Sequence, residues 1–143
     1  MTSLSPRLQA IVDALPLHPD SRALEIGCAS GAAARAVAAR LDTGQILAID
    51  RSAKAIEQAR AAAADEIASG RLAVRHIAAE NFELQPGEAP YDLVFAVRVG
   101  ALDGRHPKAG QEALKRIAAA TTPEAQLFID GGDPLRELTI PRP

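Results

Sequence analysis

Between Leu24 and Leu41 an apolar strand pattern runs into a turn of small residues, Gly27-Cys28-Ala29-Ser30-Gly31, and then into an alanine-rich stretch. Glu25 stands two residues ahead of the first glycine, and Asp50 closes a second apolar run 23 residues beyond it. Small residues at 27, 29 and 31 let a ligand approach the backbone, and glycine adopts φ angles that other residues avoid. The helix that follows would aim its N–H groups and positive dipole end at that ligand. A pyrophosphate or the carboxylate of an amino acid fits such a turn. An acid at the end of the second strand is placed to accept hydrogen bonds from both hydroxyls of a ribose. Turn and acid together point to a ligand that contains a nucleoside.

Glu25 separates the candidates. Beside a pyrophosphate a carboxylate would repel; beside an ammonium group it would attract. S-adenosylmethionine carries ammonium, carboxylate and ribose, and so uses all three features. Here the sequence resembles the class I S-adenosylmethionine-dependent methyltransferases. "LEIGCASGA" is similar to their glycine-rich first motif and "ILAIDRSAKAIEQAR" to the second, while "YDLVFAV" and "PEAQLFIDGG" resemble the fourth- and fifth-strand segments. The resemblance covers roughly residues 21–132. It implies that Glu25 faces the methionyl ammonium, that the backbone of Gly27, Cys28, Ala29, Ser30 and Gly31 lies along the cofactor, and that Asp50 binds the ribose. Arg51, Ala79, Glu80, Asn81 and Val97 complete the implied cofactor contacts. S-adenosylhomocysteine would be the product.

The chain departs from that family's pattern in three places. Ala29 replaces the middle glycine, and a small side chain there is compatible with the turn. Alignment of "IAAENFEL" puts Ala78 where an acid often meets the adenine amino group. Glu80, Asn81 or the backbone of Ala79 and Glu80 are the replacements for it. After the fifth strand only Gly131 to Pro143 follow, enough for one short antiparallel edge strand around Glu137–Ile140.

These residues need elements to position them. Ser5 and Pro6 open a helix with Leu8, Ile11, Val12 and Leu15 on one face. Strands are expected over Arg22–Gly27, Gly44–Asp50, Leu72–Ile77, Asp92–Val97 and Ala125–Asp130. Helices are expected over Gly31–Leu41, from Ser52 to about Ala68, and from Pro107 to about Ala120. That alternation predicts an α/β, mainly parallel sheet with right-handed crossovers, and the resemblance implies a Rossmann-like, doubly wound sheet of order 3-2-1-4-5 with helices on both faces. Ligands on such sheets bind outside the carboxyl ends of the strands, where Glu25, Gly27, Asp50, Ala78–Asn81 and Arg98 all fall. At 143 residues the chain reads as one domain, 1–143. Its 48% hydrophobic content is rich in alanine, with no Trp, one Tyr and three Phe, so close helix–sheet packing by small side chains follows.

The blander readings stand beside these. Gly27 and Gly31 could serve helix–sheet packing alone, and Asp50 could simply cap the next helix. Cys28, the one cysteine, excludes a disulfide framework and reads as a packed residue, since no basic partner is evident. No two histidines have a metal-ligand spacing, so no metal is expected. Arg98, Asp103 and His106 (with Arg105 nearby) are the candidates for acceptor-facing or catalytic groups, and a solvated loop explains that cluster equally well. Tyr91, at the opposite end of its strand, reads as structural. The loop "VRVGALDGRHP" lacks the Asn/Asp-Pro-Pro-aromatic signature of enzymes that methylate amino nitrogens of adenine or glutamine.

A net charge of −2 without basic clusters argues against nucleic acid as a partner, and no apolar stretch is long enough for a bilayer. A cytoplasmic location is expected. Methyl transfer to a small molecule is the leading expectation, with a homodimer as the assembly that would cover an open C-terminal sheet edge. Pro141 and Pro143 cannot donate ladder bonds there. The rivals are a non-catalytic S-adenosylmethionine-binding module, or a core that needs a partner chain, and a nicotinamide dinucleotide-binding domain. The chain is short for the last, and Tyr91 has no lysine four residues on, as a short-chain reductase would require.

Overall fold

The computed structural model describes residues 4–142; residues 1–3 and Pro143 lie outside it. Six strands form one sheet of order β3-β2-β1-β4-β5-β6: β1 Arg22–Ile26, β2 Gln45–Asp50, β3 Leu72–His76, β4 Tyr91–Ala96, β5 Thr121–Asp130 and β6 Leu135–Leu138. The first five pair in parallel, and β6 runs antiparallel to β5. The expected order and the antiparallel edge strand are both present, with the edge strand starting two residues earlier than anticipated. Its Arg136 and Glu137 are exposed charges of the kind that discourage further strand addition.

Side chains alternate between the two faces of the sheet, and each face has its own core. On one face Ala23, Ile46, Ala48, Leu93 and Phe95 pack against helices α1 (Pro6–Ala14), α2 (Ala32–Ala38) and α3 (Ala53–Ala62). On the other, Leu24, Ile26, Ile49, Val94 and Leu127 pack against Phe82 and the Ala113 and Ile117 face of α5 (Pro107–Ala119). Burial on both faces explains the near-continuous apolar runs of β1 and β4. Ala33, Ala34, Ala38, Ala59 and Ala63 are buried between sheet and helices, so alanine sets the packing distance.

Capping follows the sequence. Ser5 Oγ accepts the Leu8 N–H at 3.2 Å, with Pro6 in the first turn, and Ser52 Oγ accepts the Ala55 N–H at 3.1 Å. Two helices are shorter than their patterns suggest. α2 stops at Ala38 because the next bonds, Arg40 N–H to Val37 and Leu41 N–H to Ala38, tighten to three-residue turns. The helix expected from Ser52 to Ala68 breaks at Ala63 into α3 and α4 (Ala64–Ala68). Beyond the break Glu66 accepts the Arg35 guanidinium of α2 at 2.6 Å. β5 begins at Thr121, earlier than the expected Ala125, through an irregular register between Tyr91 and Leu93. Among the described residues no helix is long and apolar enough to cross a membrane.

Candidate functional site

The turn after β1 is laced to the end of β2, where the carbonyl of Ile49 accepts the N–H groups of Gly27 at 2.9 Å and Cys28 at 3.0 Å. Gly27 takes φ +76°, and a Cβ there would stand 2.7 Å from a methyl of Val99. Only glycine meets both demands. Ala29 also sits in the left-handed region, at φ +50°, which costs an L residue roughly 1–2 kcal/mol. Asp50 offsets that: its Oδ2 accepts the Ala29 N–H at 2.9 Å and its Oδ1 the Ser52 N–H at 2.8 Å. A hydrogen bond to a charged group contributes about 1.5–3 kcal/mol, enough to hold the strained residue. Asp50 therefore braces the turn and opens α3, leaving lone pairs on both oxygens for further donors.

Glu25 shares its face of β1 with Ala23, against α2, and is 3% exposed. Its Oε1 is a buried side-chain atom without a hydrogen-bond partner among the described residues. Burial, and then the nearby charge of Asp50, push its pKa up to about 8, against an opposing bond from the Ala34 backbone. A buried carboxyl in this condition is stabilised by a cationic donor brought in from outside. Burial also pushes the Cys28 thiol up to about 12, helped by the Glu25 and Asp50 carboxyls. That leaves it an inert packed residue.

A cavity of about 790 Å³ opens at the carboxyl ends of the strands, on the two sides of the β1–β4 junction where the sheet order reverses. One wall is the turn from Gly27 to Ser30 with Glu25, Asp50 and Arg51. Ala78, Ala79 and Glu80 follow from the short 3₁₀ turn Ala79–Asn81, where Glu80 lies 3.8 Å from the Arg51 guanidinium. The other wall carries Val97, Arg98, Arg105 and His106. Gly31, Asn81 and Asp103 are not part of the cavity surface. Gly31 instead lets α2 approach α3, since a Cβ there would lie 3.2 Å from Ala59 Cβ. Asn81 is exposed, and Asp103 is taken up by an ion pair with Arg105 at 2.8 Å. In the strand-four loop it is thus Arg105, rather than Asp103, that joins Arg98 and His106 on the wall.

Sequence reasoning missed the contribution of α1. Ser5, Arg7 and Leu8 line the cavity, and Arg7 reaches Asp130 at the end of β5, 2.6 Å away. The apolar face of α1 was visible in its spacing, but no local signal pairs residues 123 positions apart. Asp130 uses its other oxygen to accept the Arg98 N–H at 2.9 Å. Among the described residues no cluster of His, Cys, Asp and Glu could hold a metal ion.

Residues 24–127 match the family model described as a methyltransferase domain. The chain is 35% identical over 109 residues to a protein-L-isoaspartate O-methyltransferase of Methylorubrum populi, covering 76% of this chain and 45% of that one. It thus spans less than half the length of that curated relative. Among solved structures it is similar to coclaurine N-methyltransferase bound to N-methylheliamine and SAH, with a TM-score of 0.70 and 18% identity over 90% of this chain and 37% of the other. It is also similar to the cyclase SpnF, with a TM-score of 0.70 and 20% identity over 85% of this chain and 42% of the other.

Proposed function

This chain belongs to the methyltransferase-domain family, and from that premise we propose that its cavity binds S-adenosylmethionine and that the bound methyl group passes to a small-molecule acceptor. The observation that carries the reading is Glu25, a buried carboxyl with an unpartnered oxygen beside a turn that Asp50 braces. Those features fit the cofactor. The ammonium would satisfy Glu25, the remaining lone pairs of Asp50 would accept the ribose hydroxyls, and the backbone of Gly27 to Ser30 would lie along the methionyl part. Ala78 to Glu80 would border the adenine.

When bound, the cofactor supplies a methyl group on a positively charged sulfur, with S-adenosylhomocysteine as the other product. Positioning supplies much of the catalysis in an in-line displacement. Val97 and the Arg98–His106 segment form the wall against which an acceptor would be held. His106 is the side chain on that wall suited to take a proton, where the acceptor has one to lose.

Fold alone does not select this activity, since one structural relative is a cyclase. A second reading is a binding module without turnover, since a fold carries an activity only through its site. Incubation with S-adenosylmethionine and a panel of small hydroxyl, amine and carboxylate acceptors tests both. Formation of S-adenosylhomocysteine above the acceptor-free rate supports methyl transfer. Tight binding with no turnover across the panel supports the module.

A further inference from the structure

Charge is unevenly divided around the cavity. The β1–β3 side presents Glu25, Asp50 and Glu80, with Arg51 beside Glu80, whereas the β4–β5 side presents Arg7, Arg98, Arg105 and His106. Two of those three arginines are already committed. Arg7 pairs with Asp130 at 2.6 Å, and Arg105 with Asp103 at 2.8 Å. The Arg98 guanidinium has no hydrogen-bond or ion-pair partner among the described residues.

The backbone at Arg98 is held deliberately. Its φ is +57°, a region that L side chains rarely adopt and that persists where surrounding contacts over-determine it. Asp130 accepts its N–H at 2.9 Å, and the Arg105 guanidinium donates to its carbonyl at 3.3 Å. Asp130 spends one oxygen on this backbone and the other on Arg7, so it does not pair with the exposed Arg98 side chain. Among the described residues the cavity surface includes no Phe, Tyr or Trp side chain, and its apolar part on this side is Leu8, Val97, Val99, Ala101 and Ala109.

We propose that Arg98 anchors an oxyanion, a carboxylate or a phosphate, on the methyl acceptor, so that the acceptor is an anionic small molecule. This rests on the reading that methyl transfer occurs in this cavity. A planar guanidinium binds such groups through two parallel hydrogen bonds. The acids of the β1–β3 side would repel the same group, which fixes the direction in which the acceptor lies. Arg98 then acts in recognition and orientation, leaving the atom that receives the methyl group free of it.

The test is nuclear magnetic resonance on the full chain loaded with S-adenosylhomocysteine, titrated with succinate, inorganic phosphate and uncharged succinamide. The Val99 amide and the Arg98 side-chain Nε–H report binding. A saturable shift with succinate or phosphate, and none with succinamide, is expected; the stronger of the two anions identifies the group. Arg98→Gly suits the left-handed backbone and removes the whole side chain, the guanidinium included. It should weaken the anion by about tenfold or more, with S-adenosylhomocysteine affinity unchanged, and Arg98→Lys should retain part of the binding. No saturable shift with either anion, or equal anion affinity in Arg98→Gly at the Val99 amide, overturns the proposal. If S-adenosylhomocysteine fails to bind, the cofactor reading falls by itself. The same titration of the unloaded protein then decides: anion binding lost in Arg98→Gly supports the anchor, and anion binding retained or absent overturns it.

Discussion

The two ends of the sheet use similar residues in opposite ways. Near the amino ends of β1 and β4, Arg22 and Glu88 are each engaged by several partners. Arg22 donates to the Ala89 and Pro90 carbonyls and to Gln45, and lies 5.0 Å over the Tyr91 ring. Glu88 accepts from both Arg75 terminal nitrogens, from the Tyr91 hydroxyl and from the Gln85 N–H. At the carboxyl ends, among the described residues, Glu25 keeps a buried oxygen without a partner, and the exposed Arg98 guanidinium makes no ion pair. Closed polar networks hold structure together, whereas open ones near a cavity are suited to a ligand. The pKa directions agree. Burial raises Glu88, but hydrogen bonds from Arg75 and Tyr91 outweigh it and hold the carboxyl below its usual range, whereas Glu25 is raised.

Substitutions at each end sharpen or break this contrast. The largest effect belongs to Asp50→Ala, which removes both the ribose acceptor and the brace on Ala29. S-adenosylhomocysteine binding should weaken by roughly ten- to a thousandfold in calorimetry. Thermal stability should fall as well, because the strained Ala29 loses its hydrogen bond. A ligand affinity that survives this change would mean the acid only caps its helix.

Glu88→Ala is the counterpart at the closed end. It strands Arg75, Tyr91 and the Gln85 N–H together, at a cost of about 2–4 kcal/mol in denaturant unfolding. Cofactor affinity at saturating folded protein should not change. Coupled loss of affinity would show that the two ends are not separable.

The pH dependence of the two ends has opposite sign. The folded protein holds the Glu25 proton up to about pH 8, while the unfolded chain releases it near 4.5. Stability from this group therefore falls as pH rises between those values. Glu25→Gln should flatten that slope in thermal melts. Glu88, with its lowered pKa, contributes stability above the unfolded carboxylate pKa that is lost as pH falls through the folded one. Glu88→Ala should flatten the acid limb instead. The smallest effect is expected from Ala29→Gly, which relieves the left-handed strain but enlarges the unfolded ensemble; the net change should stay below about 1 kcal/mol.

What the sequence revealed follows the range of the interactions. The strands, the glycine turn and the acids at 25 and 50 rest on local patterns, apolar runs and the turn residues between them, and these were legible, whereas the strand order is non-local and followed from the family resemblance. The Arg7–Asp130 pair joins the first helix to the fifth strand, and no spacing announces it. Which charges of the strand-four loop face inward was hidden for a similar reason: Asp103 and Arg105 bind each other, and that pairing decides between them. The position of Asp50 at a strand end marks it as a ligand group or a helix cap, but its bond to the Ala29 N–H needs the turn already folded. Asn81 follows Glu80 by one position on a three-residue turn, yet it is exposed and not part of the cavity surface, a distinction no residue pattern carries.

The central claim is that the unpartnered Glu25 oxygen awaits a ligand ammonium. Calorimetry of S-adenosylhomocysteine, adenosine and NAD on the wild-type chain and Glu25→Gln tests it most directly. The account predicts that S-adenosylhomocysteine binds the wild type and loses about tenfold in affinity in the variant. Adenosine, which has no ammonium, should bind both proteins alike. NAD binding that Glu25→Gln leaves unchanged or improves, without S-adenosylhomocysteine binding, would contradict the account and favour a dinucleotide site.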